Sequence, residues 1–258
     1  MSAVDDHGVA EAYAKFKEHF FTSIPEDVLF GDFDSVVKSL PESLGSLASQ
    51  FRYNLSAVSH SVAVPFLMLQ NAHLIQKMED FRRCYEDENA AAEAFNVWTM
   101  SPISSDKASD AIIRALLLHS QLVPELRDYS AELLRQGAVL LYAAFEMLIV
   151  DGYAIWTGKD TKPLAIARQL TGAEHASDAL KQFGIWQLAQ DRHVIAHRCG
   201  ILDDEYVKNT GTAIPVGTRL IISPQALHDH FFTVVNCGRS LLELFGDPYD
   251  PHSVEHAP

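Results

Sequence analysis

These 258 residues predict an all-α protein, and three observations carry that expectation. Apolar positions recur every three or four residues through almost every segment, which is the period of a helix. Hydrophobic residues make up 48% of the chain, enough for one large core or a core with an appended lobe. The only stretches rich in strand formers, Tyr206–Val207 and Thr218–Ile222, are short and sit near Gly211 and Gly217. They suggest a small hairpin or extended loop and no sheet.

Taken in order, Val9 to Phe21 is amphipathic, and Asp32 to Phe51 carries a weaker helical pattern broken by Pro41 and Gly45. A longer helix is predicted from about Asn54 to Tyr85, with Pro65 as a kink or boundary. Glu86 to Trp98 is Ala-rich, Pro102 to Lys107 reads as a loop, and Asp110 to Leu122 is apolar at helical spacing until Pro124. Ser130 to Trp156 is the expected central helix. After a turn at Thr157 to Lys162 comes a short helix to Leu170, then one continuous helix from about Ser177 to Cys199. Ser223-Pro224 is a strong helix start, an N-cap followed by proline in the first turn, and the last helix is expected to end near Phe245. The predicted organisation is a helical N-terminal region over residues 1–125 packing on a helical bundle over 126–246, with a flexible tail over 247–258.

Several function classes are disfavoured. The Met1-Ser2-Ala3-Val4-Asp5-Asp6 start has no basic stretch leading into an apolar run, so no secretory signal is expected. Ala138 to Trp156 is the most apolar stretch, but Glu146 and Asp151 interrupt it, which fits a buried bundle helix better than a membrane span. Cys84, Cys199 and Cys237 are odd in number and lack a paired spacing, which suits reduced thiols in a cytoplasm. A net charge of −14 argues against broad electrostatic capture of nucleic acid. Any RNA must be met at a local basic cleft.

The most informative segment is Asp191 to Tyr206. It places Arg192, His193 and His197 on the last turns of a helix that ends at Gly200. A guanidinium can hold a phosphate and a nearby imidazole can move a proton, which together are a minimal kit for cutting RNA without a metal. With 11 arginines and 12 histidines in the chain, an Arg followed by His at this distance arises by chance roughly once or twice. Two other matches occur. Arg114 to His119 brackets only Ala and Leu, and Arg168 to His175 crosses a helix end. At about 100° per residue, Arg192 and His197 are separated by some 140°, which points to two chains meeting at a composite cleft. Ala189, Ala196 and Gly200 fall together as a trough of small residues, opposite a core stripe of Ile185, Leu188, Ile195 and Cys199.

Arg-His-Val-Ile-Ala-His, followed by Gly200 and then Asp203-Asp204-Glu205-Tyr206, resembles the HEPN superfamily, whose signature is Arg, four to six residues, then His, with a polar residue directly after the Arg. Ala143-Ala144-Phe145-Glu146 is similar to the apolar central helix of those domains, and Val216-Gly217-Thr218 leading to Ile222-Ser223-Pro224 to their route into the last helix. The resemblance covers about residues 130–245. It implies an all-α bundle, a homodimer and, in active members, a metal-independent endoribonuclease that leaves a 2′,3′-cyclic phosphate and a 5′-hydroxyl. It also implies roles: His197 as general base on the ribose 2′-hydroxyl, Arg192 as the group stabilising charge on the phosphate, and His193 as an assistant. Glu146 would anchor Arg192, and Asp203 would support the site. No cofactor is implied. Members commonly act as toxins held by an antitoxin partner, in phage defence or in RNA processing, while some are inactive binding or dimerisation modules.

Competing sites are weaker. His193 and His197 with Asp203 or Asp204 have zinc-ligand spacing, but the metalloprotease pattern needs Glu where Val194 stands. Gly152 to Lys159 imitates a phosphate loop with its glycines misplaced and Asp160 where Ser or Thr must hold magnesium. His228-Asp229-His230 reads as a solvated face of the last helix, and Arg82-Arg83 beside Glu79 and Asp80 as surface ion pairing.

Overall fold

The computed structural model describes residues 21, 23–31, 33–84 and 124–249, with side chains described for 21, 23–31, 33–65 and 128–249. The chain is all-α: α1 (Glu26–Phe30), α2 (Phe33–Ser39), α3 (Glu42–Cys84), α4 (Pro124–Thr157), α5 (Pro163–Thr171), α6 (Ala176–Gln182), α7 (Trp186–Arg198), α8 (Asp204–Thr210) and α9 (Pro224–Gly246). Among the described residues there is no strand, only an isolated antiparallel bridge between Ile201 and Arg219. The expectations for residues 9–20, 86–122 and 250–258 lie outside the described residues.

Local chemistry explains where the sequence reading and the structure diverge. Gly45 does not break α3, because its amide reaches the Pro41 carbonyl at 2.8 Å and so lies within the first turn. The same helix runs on through Pro65 at the cost of one backbone hydrogen bond. The single helix expected from Ser177 to Cys199 is two: Gly184, with φ of 73°, takes a left-handed conformation that a side chain resists and separates α6 from α7. Tyr206–Val207 is helical and not a strand. Asp203 accepts the Tyr206 amide at 2.9 Å, and this N-cap starts α8 two residues after the bridge. The predicted start of the last helix at Ser223-Pro224 is matched by α9.

Residues fall into two compact units, and the larger joins 24–61, 133–222 and 226–258. Its core is aromatic and aliphatic: Phe30, Phe33, Phe51 and Leu55 from the first segment, Leu141, Phe145, Leu148, Ile149 and Tyr153 from α4, and Leu227, Phe231, Leu242 and Phe245 from α9 are all buried. Phe33 stacks on Phe30 with ring centroids 5.7 Å apart and on Phe51 at 6.1 Å. Residues Asp128–Thr157 of α4 are long and apolar enough to cross a membrane, with a mean hydropathy of 1.7, yet half of that window is buried inside the protein.

Two glycines set how closely α3, α4 and α9 pack. A Cβ on Gly238 would lie 2.5 Å from Phe51 Cε1 and 3.0 Å from Leu148 Cδ2; one on Gly152 would lie 2.6 Å from the Phe245 ring and 3.5 Å from Leu47 Cδ2. Gly152, placed by sequence in an imitation phosphate loop, is instead a packing glycine inside α4. The Gly45 position, by contrast, has nothing within 4 Å of a built Cβ. Gly45→Ala is therefore expected to stabilise by roughly 0.5–1 kcal/mol. Gly238→Ala is expected to destabilise by roughly 1–2 kcal/mol, because overpacking against a buried ring outweighs the same helical gain. Chemical denaturation of the two variants checks both signs.

Candidate active site

Helix α7 carries the candidate residues, and its two ends fix their height in the fold. It starts just after Gly184 and ends at Cys199 and Gly200, both at positive φ (54° and 77°). Cys199 is the sole non-glycine residue in that region among those described. The Gly200 amide turns back to the Val194 carbonyl at 3.0 Å. The chain then runs extended beside residues 217–220, with Leu202 N to Thr218 O at 2.9 Å, Gly217 N to Leu202 O at 2.8 Å and Leu220 N to Gly200 O at 2.7 Å. Arg135, only 3% exposed on α4, clamps this turn: its Nη1 donates to the Leu220 carbonyl at 3.1 Å, and its stem passes in van der Waals contact, 3.4 Å from where a Gly200 Cβ would stand.

On the outer face of α7 the structure brings three of the predicted residues together. Arg192 Nη1 lies 3.5 Å from His197 Nε2, and the His193 and His197 rings are 4.9 Å apart. The two histidines are exposed and Arg192 is half-buried. The expected 140° separation does not keep Arg192 from His197, because the long arginine side chain arcs along the helix surface to reach the imidazole. One chain thus holds the pair without a second.

Glu146 and Asp203 are placed differently from expectation. Among the described residues no hydrogen bond or ion pair joins Glu146 to Arg192. The group beneath the guanidinium is Tyr142, one turn earlier on α4, with Arg192 Cζ 5.7 Å from its ring centroid. Burial pushes the Tyr142 hydroxyl up to about 12, Glu146 adds to the rise, and Arg192 opposes it. Asp203 has its two oxygens engaged: one caps α8 at the Tyr206 amide, the other meets Arg198 Nε at 3.2 Å. The Tyr206 amide chiefly holds the Asp203 carboxyl below its ordinary range, with Arg198 and then His193 helping. Its role is to hold the turn after α7. Among the described residues no three His, Cys, Asp or Glu side chains gather as a metal ion would require.

The small-residue trough does not form an open face. Ala189 and Gly200 are buried, and of the three only Ala196 is exposed. The core stripe runs through Ile185, Leu188, Ala189, Asp191 and Val194, about one position round from expectation, and leaves Cys199 exposed.

That stripe contains a residue the sequence reading missed. Asp191 is 4% exposed, and both of its carboxylate oxygens have polar partners. Its Oδ1 accepts from the Tyr206 hydroxyl at 2.7 Å and from Gln187 Nε2 at 2.8 Å, while Oδ2 faces His230 Nε2 at 3.2 Å. Gln187 Nε2 also donates to the Tyr206 oxygen at 2.9 Å. Burial foremost, then Asp191, raises the Tyr206 hydroxyl above the ordinary tyrosine range, so it stays a proton donor to the carboxylate. His230, assigned to a solvated face from its neighbours His228 and Asp229, points inward with its side chain 12% exposed. A second polar link lies alongside: Asn209 Nδ2 donates to Gln190 Oε1 at 3.0 Å, and Trp186 Nε1 to the Asn209 carbonyl at 3.2 Å. The signal in the sequence was Asp191 itself, an acid three residues from Leu188 and three from Val194 on one helix face.

No protein family profile, curated protein or solved structure matches the chain. The depressed Asp203 carboxyl carries a prediction. A group whose folded-state value is lowered stabilises the fold above its ordinary value, and that contribution is lost as pH falls through the lowered one. Asp203→Asn keeps a capping oxygen and removes the titration. Below about pH 4 the parent's melting temperature is expected to fall more steeply than that of Asp203→Asn; parallel curves would show that the cap is not ionised.

Proposed function

We propose that this protein is a HEPN-like, metal-independent endoribonuclease whose working groups are Arg192, His197 and His193. The observation that carries the reading is the contact of Arg192 with His197 on an exposed helix face, with His193 packed against the same imidazole. In a chain of net charge −14, Arg192, His193, His197 and Arg198 also concentrate cationic and titratable groups on one helix. This is the local footing that an RNA phosphate requires.

In this proposal the chemistry follows from which groups can exchange partners. Arginine only donates, so the Nε2 that faces Arg192 is the acceptor nitrogen of His197. A phosphate entering the site is a stronger partner for the guanidinium than a neutral imidazole, and drawing Arg192 to it frees Nε2. That nitrogen takes the proton of the ribose 2′-hydroxyl, and the 2′-oxygen attacks phosphorus. The bond from phosphorus to the 5′-oxygen breaks, and the leaving oxygen takes a proton from the His193 imidazolium. The products are a 2′,3′-cyclic phosphate and a 5′-hydroxyl, with Arg192 neutralising charge at phosphorus throughout. Tyr142 backs the guanidinium from below. A homodimer through the outer face of α7, where Ala196 offers the least bulk, completes the proposal, each protomer keeping its own Arg192–His197 pair.

His197→Ala and Arg192→Ala are each expected to cut RNA cleavage by about 100- to 10,000-fold with circular dichroism unchanged. Arg168→Ala and His175→Ala, the exposed pair with similar spacing, should leave it intact. Cleavage should persist in EDTA and show a bell-shaped pH profile around neutrality. A parent that binds RNA without cutting it would reassign the protein as a binding module, and rescue by zinc would reassign it as a metal hydrolase.

Because the Arg192–His197 pair is intrachain, mixing Arg192→Ala with His197→Ala chains is expected to recover no cleavage. Recovery toward the quarter or so of parent activity that random pairing allows would place the cleft between two protomers.

A further inference from the structure

We propose that Asp191 is the positioning residue of the Arg192–His197 pair. Its buried carboxylate, held by Tyr206 of α8 and His230 of α9, fixes the rotation of α7 about its own axis. The inference rests on the proposed catalytic reading for its functional consequence, although the positioning itself is a property of the fold.

Asp191 is too buried to meet a substrate, yet it is the immediate neighbour of Arg192. Its three bonds come from three directions: Gln187 one turn back on α7, Tyr206 from α8 and His230 from α9. Apolar burial is non-directional, whereas a hydrogen bond weakens steeply away from its preferred angle. At a side-chain tip roughly 6 Å from the axis, a 15° rotation is a displacement of about 1.5 Å. Arg192 and His197 turn together with α7, so their 3.5 Å contact moves as a unit. What such a rotation changes is the pair's place against the Tyr142 ring of α4, whose centroid is 5.7 Å from Arg192 Cζ, and against a substrate, where a 1 Å misplacement can cost about 100-fold in rate. Apolar packing on the inner face of α7, from Ile185, Leu188 and Val194, sets its depth. Directional bonds to two further helices add what such packing lacks, a preferred rotation. Asp203, Arg198 and Arg135 secure the end of the helix.

The test pairs kinetics with a readout that needs no catalysis. Asp191→Leu fills the space and removes all three bonds, Asp191→Asn retains an acceptor for Tyr206, and Val194→Ala is a stability-matched control from the same buried stripe. For RNA cleavage, Asp191→Leu is expected to lower kcat about 100-fold with KM changed less than about threefold. Asp191→Asn should recover most of that loss, and Val194→Ala should stay within a few-fold of the parent. In nitrogen-15 NMR, the His197 ring and Arg192 guanidinium resonances should move in Asp191→Leu and hold in the other two variants. Should Asp191→Leu fail to fold, Tyr206→Phe, which removes one bond, is expected to shift the same resonances in the same direction by a smaller amount. Resonances of Arg192 and His197 that stay in place in a folded variant lacking these bonds would overturn the proposal, as would a Val194→Ala loss equal to that of Asp191→Leu. If the parent cuts no RNA, the ribonuclease reading fails alone and the resonances still decide the positioning.

Discussion

A carboxylate removed from water and left without partners costs several kcal/mol, and this cost organises the half of the protein that carries the candidate chemistry. Asp191 sits on the inner face of α7 among Leu188 and Val194, and the surrounding elements are arranged to meet it. Helix α8 must be a helix for Tyr206 to present its hydroxyl inward, and it must begin where Asp203 caps it. The extended run of residues 217–222 must deliver the chain to Ser223 so that α9 sets His230 against the second carboxylate oxygen. Arg135 holds that run by its carbonyl at Leu220. Three local decisions, a cap, a turn and a helix start, and one long-range clamp from Arg135 to Leu220 converge on one buried charge.

The same arrangement separates two jobs along a few residues of one helix. Inward, the Asp191 carboxylate is engaged by Tyr206, Gln187 and His230. Outward, Arg192, His193 and His197 touch mainly one another and the Tyr142 ring. Side chains whose best partners are each other are available to a ligand that offers something better, and phosphate offers more to a guanidinium than an imidazole does. An acidic protein that approaches RNA in this manner gains little from long-range attraction, so its encounter with substrate depends on shape and on these few contacts.

How much of this was legible in the sequence divides along physical lines. The helical class was legible because period and composition act locally, and the last helix because serine followed by proline caps and starts a helix whatever lies around it. The nearness of His193 to His197 was legible as well, since a four-residue spacing on one helix decides it. The reach of Arg192 to His197 within one chain was not, because it depends on the length of the arginine side chain and not on the helical angle. What was not legible depended on tertiary partners. Tyr206–Val207 has the composition of a strand, and only the Asp203 cap and the inward pull of Asp191 make it helical. The break at Gly184 is hidden within a continuous helical pattern, and its positive φ is what separates α6 from α7. His230 looked solvated beside His228 and Asp229 because its partner lies 39 residues away. Glu146 was the acid that the resemblance offered for Arg192, but the face of α4 that meets the arginine presents Tyr142.

The close fit of α3, α4 and α9 through Gly152 and Gly238 has a consequence for how the chain comes to be folded. Leu47 and Phe51 meet α4 across roughly 100 residues of sequence, and closing a loop that long is slow compared with forming a helix. Helix α9, which contributes Phe245 and the Gly238 groove, ends 89 residues after α4 ends (246 against 157). At a synthesis rate of about 5–20 residues per second, α4 emerges from the ribosome on the order of 5–20 s before the surface that will cover it. For that interval the chain displays a segment as apolar as a membrane helix, with only its earlier residues to shelter it. The sheltering aromatic cluster of Phe30, Phe33 and Phe51 is encoded ahead of α4, so a receiving surface has already been made when the apolar helix arrives.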